Sequence, residues 1–329
     1  MSTFPLIDVQ GLSKRFEVSA PWLERLINRE PRKWVHAVNE VSLQIQRGET
    51  LALVGESGCG KSTLARLLVG LYAPTAGQIA FDGDDLHRTL ASAQAQSLRR
   101  RMQMIFQDPY ASLNPRWRVQ DIVAEPLHVH RPELQAAQQV EAVEALLSAV
   151  GLNPKDAIKY PHQFSGGQRQ RISIARALAV SPEFLVCDEP TSALDVSVQA
   201  QVLNLMKDLQ AERKLTYLFI SHNLAVVRHV SDRVGVMYLG RLVELAPTTQ
   251  LFDQPRHPYT QMLLAAIPKM KKGPQTRVPI QGEVPNPLSP PSGCAFHPRC
   301  PQATSVCKER TPELTTLKGI QIACHHAQD

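Results

Sequence analysis

Long apolar runs are missing from this 329-residue chain. No stretch approaches the roughly 18 residues that a membrane-crossing helix needs, so no span is expected. The opening, Met1–Asp8, lacks the basic-then-apolar layout of a secretory leader. A cytosolic origin follows, with membranes reached only by docking. No internal repeat and no low-complexity segment is present. Aromatic residues are scarce, at 5%, and none interleaves with basic residues in the manner of single-strand-binding surfaces. The net charge of +6 is dispersed, apart from Arg99-Arg100-Arg101 and Lys269–Lys272. Nucleic acid is therefore not an expected partner, and a mild positive balance equally suits anionic lipid headgroups. Cysteine is nearly absent before residue 294, where Cys59 and Cys187 stand alone.

What is present suffices for one substantial α/β domain with a small appendage, since 43% of residues are hydrophobic. The most specific signal is Gly55-Glu56-Ser57-Gly58-Cys59-Gly60-Lys61-Ser62 followed by Thr63, a fit to G-x-x-x-x-G-K-[ST]. The apolar Thr50–Val54 before it reads as a buried strand and Thr63–Val69 as the start of a helix. That context marks a phosphate-binding loop. Its glycines let backbone N–H groups turn toward phosphates at a helix N-terminus. Lys61 is placed to reach the terminal phosphates and the Ser62 hydroxyl to ligate Mg²⁺.

Three further apolar strands end in polar residues. Phe184–Cys187 leads into Asp188 and Glu189, Met102–Phe106 into Gln107, and Leu218–Ser221 into His222. Parallel sheets present functional groups at strand carboxyl ends. Asp188 can hold magnesium and Glu189 can serve as general base toward water. Gln107 can touch the metal or the water, and His222 the γ-phosphate. Alone, each would be an ordinary surface or structural residue. Ser165-Gly166-Gly167-Gln168 opens a helix carrying Arg169, Arg171 and Arg176. Ser165 reads as its N-cap, with the glycines leaving N–H groups open to an anion.

The remaining pattern gives the expected organisation. Val9–Gln46 alternates like strands, and Thr50–Phe81 reads as strand, helix, strand. Asp108–Val180 reads as a mostly helical insert, including a periodic helix over Leu134–Val150 stopped at Gly151. Glu183–Glu244 alternates strand and helix, which argues for a parallel sheet. Pro268–Pro291 reads as an irregular linker. The last four cysteines follow as Cys294-x5-Cys300-x6-Cys307-x16-Cys324. Such clustering in a cytosolic chain favours metal binding over disulfides, and spacing alone leaves zinc, with His297 or His325, and iron–sulfur open.

In this order, the motifs resemble the ABC ATPases from about Leu6 to Ile267. The resemblance makes Gly55–Thr63 the Walker A loop, Gln107 the Q-loop, Ser165–Gln168 the signature and Asp188-Glu189 the Walker B end. It makes Ser192–Asp195 the D-loop and His222 the switch histidine, with Phe16 stacking on adenine and Val38 touching the base. Gln107, Ser62 and Asp188 become the magnesium ligands. The implied fold is α/β, a P-loop NTPase with an antiparallel β subdomain, a mostly parallel core sheet and a helical insert. Residues 1–267 would form the ATPase domain, with a helical subdomain at about 108–180, and 268–329 a C-terminal region. Two ATP molecules would be sandwiched between paired subunits, each covered by the partner's signature and Asp195.

The segments Phe106–Arg116, His257-Pro258-Tyr259-Thr260 and Gly282–Pro285 through Cys324-His325 resemble the peptide-importer subfamily, in particular dipeptide permeases. This implies ATP-driven import of short peptides at the cytoplasmic face of the bacterial inner membrane. Related importers of nickel, glutathione or a haem precursor are the alternative, and a soluble ABC ATPase acting on nucleic acid a more distant one. The implied partners are a second, non-identical ATPase, two membrane permease subunits and a peptide-binding protein. The membrane subunits would dock at Gln107–Arg118. The resemblance also implies that Cys294, Cys300, Cys307 and Cys324 hold a [4Fe–4S] cluster, with zinc as the alternative.

Overall fold

A computed structural model describes residues 4–19, 21–28, 31–266 and 282–327. The boundary expected at 267/268 and most of the expected linker lie outside them. The chain forms two compact units, each gathered from separate stretches. One comprises Met1–Leu6, Ile45–Thr50 and Phe81–Ser221, the other Ile7–Gln44, Leu51–Ala80 and His222–Asp329.

In the first unit the strands Thr216–Ile220, Phe184–Asp188 and Met102–Ile105 lie side by side in parallel, with Phe184 opposite Thr216 and Met102. Phe184, Val186, Leu218 and Ile220 are fully buried. Strands covered on both faces read as unbroken apolar runs, and these do. The helical part follows with Val119–His130, Ala136–Ala149 and Gly166–Leu178. Gly151 ends the second of these with φ at 70°, the left-handed stop that glycine tolerates without strain. Val140, although in phase with the apolar positions of that helix, is 57% exposed.

In the second unit, residues 51–54 of the strand Thr50–Val54 pair in parallel with Arg233–Tyr238, Leu51 opposite Arg233. Arg241–Pro247 then pairs antiparallel with Arg233–Tyr238, and Ile320–Ile322 antiparallel with Arg241–Pro247. Thr315–Leu317 closes this run as a hairpin with Ile320–Ile322. The sheet of this unit is therefore mixed, and the C-terminal residues extend it by two strands. The core beside it joins Ala52, Val54, Val234, Val236, Tyr238, Tyr259 and Phe296. A separate sheet orders Trp34–Ile45, Ile7–Glu17 and Ala76–Phe81 as neighbours. Between its first two strands lies a helix, Trp22–Asn28, inside the stretch whose alternation had suggested strands alone.

Candidate functional site

The phosphate loop joins the buried Thr50–Val54 strand to the helix Lys61–Leu68. The chain runs so close to neighbouring backbone that side chains cannot be accommodated. A Cβ on Gly55 would strike the Met237 carbonyl oxygen, and one on Gly60 the Ala37 carbonyl oxygen. Gly60 also sits at φ 104°, a left-handed geometry other residues rarely adopt. Lys61 is 6% exposed, and its Nζ donates to the carbonyls of Gly55 at 2.7 Å and Glu56 at 3.0 Å. An ammonium so buried needs its donors satisfied, and the loop's own carbonyls do this. Cys59 is buried 3.6 Å from the same nitrogen, and burial pushes its thiol up. Ser57 and Gly58 are exposed at the rim, with Glu56, Ser62 and Thr63 half-buried.

In this same unit Phe16 meets Tyr72 edge-on, their centroids 5.5 Å apart, beneath the Lys14 ammonium. Val38 is fully buried. His222 is exposed, just ahead of the helix Leu224–Val230 that Asn223 caps.

The first unit gathers the other candidates. Asp188 ends its strand nearly buried. Glu189, the next residue, has φ at 48°. A non-glycine residue held there costs about 1–3 kcal/mol, and such strain collects at functional positions. Its N–H donates to the Ile220 carbonyl at 3.0 Å, and its own carbonyl accepts from the Ser192 N–H and hydroxyl. Gln107 Nε2 donates to Glu189 Oε2 at 3.1 Å. Those two residues, 82 positions apart in sequence, are thus brought together, and the carboxylate is oriented by the amide.

Ser165 caps the helix Gly166–Leu178 reciprocally with Gln168. Its hydroxyl accepts from the Gln168 N–H, and the Gln168 side chain accepts from the Ser165 N–H at 3.0 Å. Gly167 has a packing role that capping alone does not reveal, because a Cβ there would collide with Val198. Asp195 caps the helix Val196–Arg213, accepting from the Val198 N–H at 3.0 Å and the Ser197 hydroxyl at 2.7 Å. The Val198 bond holds its carboxyl below the usual range.

The cysteine tail requires a correction. Among the described residues no three His, Cys, Asp or Glu side chains converge as ligands for a metal, so neither the expected [4Fe–4S] cluster nor zinc is supported. Cys307 is buried, its sulfur 3.5 Å from His326 Nε2 and 3.6 Å from the Thr304 hydroxyl. Cys294, Cys300 and Cys324 are free thiols that burial pushes up. His297 and His325 turn to the carbonyls of Cys294 and Arg310. Phe296 enters the core of the second unit, and Ile320–Ile322 joins its sheet.

That core holds residues that sequence reasoning quoted without a role. Glu244 is wholly buried and accepts the N–H groups of Arg256 and His257. His257 Nδ1 in turn accepts the Tyr259 N–H at 3.0 Å. The Tyr259 hydroxyl accepts the N–H of Glu56, in the phosphate loop, at 2.9 Å. Only the motif His257-Pro258-Tyr259-Thr260 hinted at this support.

A buried lysine cradled by the main chain at a glycine-walled strand–helix junction defines a P-loop ATPase. Residues 38–192 match the ABC transporter family model, and 243–307 match the oligopeptide/dipeptide transporter C-terminal region. The oligopeptide transport ATP-binding protein AppF of Bacillus subtilis is 49% identical, covering 97% of each chain. The di/tripeptide transport ATP-binding protein DppF of Pseudomonas aeruginosa is 54% identical over 89% of this chain and 91% of its own. Among solved structures, the ATP-binding cassette MJ0796, dimeric with ADP and Pi, superposes with TM-score 0.64 at 26% identity. It covers 74% of this chain and 98% of its own. CbiO1 of Clostridium perfringens, part of an ABC transporter complex, gives 0.63 at 26%, covering 76% and 92%. The chain belongs to the ATP-binding proteins of ABC transporters.

Proposed function

We propose that this chain binds and hydrolyses ATP to power import of dipeptides and other short peptides through a membrane permease. The observation that carries the reading is near-full-length likeness to AppF, named for oligopeptide transport, on a chain whose phosphate loop is intact. Lys61 and the loop N–H groups bind the phosphates. The carved glycine cradle fits a triphosphate, and the oxygen donors Ser62, Gln107 and Asp188 suit a hard cation such as Mg²⁺. Bound magnesium would shield the phosphate charge. Glu189, aimed by Gln107, takes a proton from water as its oxygen bonds to the γ-phosphorus and the bridging β–γ oxygen leaves with ADP. His222 contacts the γ-phosphate, and Phe16 and Val38 lie on the adenine side.

Ser165, Gly166, Gly167, Gln168 and Asp195 cover the nucleotide of a facing, non-identical ATPase. Two permease subunits and a peptide-binding protein complete the assembly. Among the described residues no helix is long and apolar enough to cross a membrane, which suits a peripheral seat on the cytoplasmic face of the inner membrane. Residues up to 267 form the ATPase domain and those from 268 the appended region. The test is uptake of a labelled dipeptide into inside-controlled vesicles carrying the whole complex. Uptake should require ATP and fall to background in Lys61→Ala; undiminished uptake, or ATP-driven entry of nickel but no peptide, would overturn the reading.

A further inference from the structure

The C-terminal region reaches the phosphate loop through Arg299. Arg299, whose side chain is 2% exposed, sets its guanidinium on the Glu56 carboxylate, with donor distances of 2.7 Å to Oε2 and 2.9 Å to Oε1. The two residues are 243 positions apart. Tyr238 supports the fork from below, its hydroxyl 3.4 Å from the same guanidinium. Phe296 wedges edge-on against Tyr238, centroids 5.3 Å apart, so the short turn carrying Arg299 is anchored in the core. Glu56 is thus gripped at three points: its carboxylate by Arg299, its N–H by Tyr259, its carbonyl by Lys61.

Glu56 is an awkward residue for its position. Its carboxylate belongs to a loop shaped to receive a polyanion, where negative charge repels the ligand. A bidentate guanidinium is the arrangement that both neutralises a carboxylate and fixes its direction. We infer that Arg299 is a positioning residue for nucleotide binding: it neutralises Glu56 and draws that carboxylate out of the path of the phosphates. The C-terminal region thereby sets the ATP affinity of this chain. This rests on the reading of residues 55–63 as the nucleotide loop.

The test is titration of the full-length chain with a ribose-labelled fluorescent ATP analogue. Arg299→Gln should weaken binding about tenfold by leaving an unpaired carboxylate beside the phosphates. Combining Arg299→Gln with Glu56→Gln should return affinity to within about threefold of the parent, because no unpaired charge then remains. In ATP turnover by the assembled transporter, Arg299→Gln should raise KM and leave kcat nearly unchanged. Parent-like binding by Arg299→Gln overturns the inference, as does a double variant no tighter than the single. Thermal unfolding without nucleotide checks that each variant folds. If Arg299→Gln does not, Arg299→Lys carries the test: it keeps the charge but loses the fork, and should bind about threefold more weakly. Unchanged affinity there overturns the inference too. Lys61→Ala separates the two readings, since loss of binding supports the loop assignment whatever Arg299 does.

Discussion

The phosphate loop and the Ser165–Gln168 turn are both glycine-bearing helix starts packed against neighbouring elements, yet their hydrogen bonds differ in reach. The loop is determined from outside itself. Main chain at Ala37 and Met237 leaves no room for side chains at Gly60 and Gly55, and Tyr259 and Arg299 grip Glu56. The turn at Ser165 satisfies itself, through a reciprocal bond with Gln168 three residues on. An anion pocket that must keep its shape before ligand arrives calls for support from many elements. A cap proposed to meet a facing subunit needs only to keep its N–H groups available.

The contrast can be broken in four places. The largest effect is expected at Glu189, the proposed general base, which Gln107 orients. Glu189→Gln should cut phosphate release about 10²–10⁴-fold while labelled-ATP binding persists; normal turnover would remove Glu189 from the chemistry. Ser165→Arg should then injure the site of the facing subunit. In a mixed pair, turnover should fall at the nucleotide held by the unaltered partner's loop, and loss confined to the altered chain's own loop would refute the shared-site reading.

The support behind the phosphate loop responds to pH through His257. Burial lowers its pKa to about 4, against about 6.5 in an unfolded chain. The unfolded state therefore binds a proton that the folded state refuses. The stability is fully present above pH 6.5 and is lost as pH falls toward 4, by about 3 kcal/mol in total. His257→Asn should flatten the difference in unfolding free energy between pH 7 and pH 4.5, and an unchanged slope would count against it. Glu244, which burial pushes up, acts in the opposite sense in both proteins and cancels from the comparison. The smallest effects lie at the turn. Gly167→Ala forces Val198 aside and should cost about 1–3 kcal/mol, and Ser165→Ala about 1 kcal/mol, both read by thermal unfolding.

Local features of this molecule were legible in the sequence wherever a residue acts on its near neighbours. Ser165 as a cap, Gly151 as a stop and the apolar run Thr50–Val54 all read correctly, because capping, left-handed turns and buried strands are decided within a few residues. The helix Trp22–Asn28 was hidden inside an alternating stretch, since seven residues are too few for a helical period to declare itself. Val140 matched the period of its helix but faces outward, as the periodic stripe was wider than the face that packs. The cysteine spacing suggested ligands because it is compositional; among the described residues the folded tail gathers no three ligating side chains, and Cys307 meets His326 and Thr304 instead.

Sequence alone settled the chemistry available to this protein: a glycine-lysine loop at a strand–helix junction, carboxylates at a strand end, and a capped glycine turn. These are short-range patterns with short-range causes. Only the tertiary structure decided how the loop is braced, because Glu56 and Arg299 are joined across 243 residues by packing around Tyr238 and Phe296. No local propensity encodes such a meeting. It arises when burying two aromatic rings leaves one guanidinium and one carboxylate no better partner than each other.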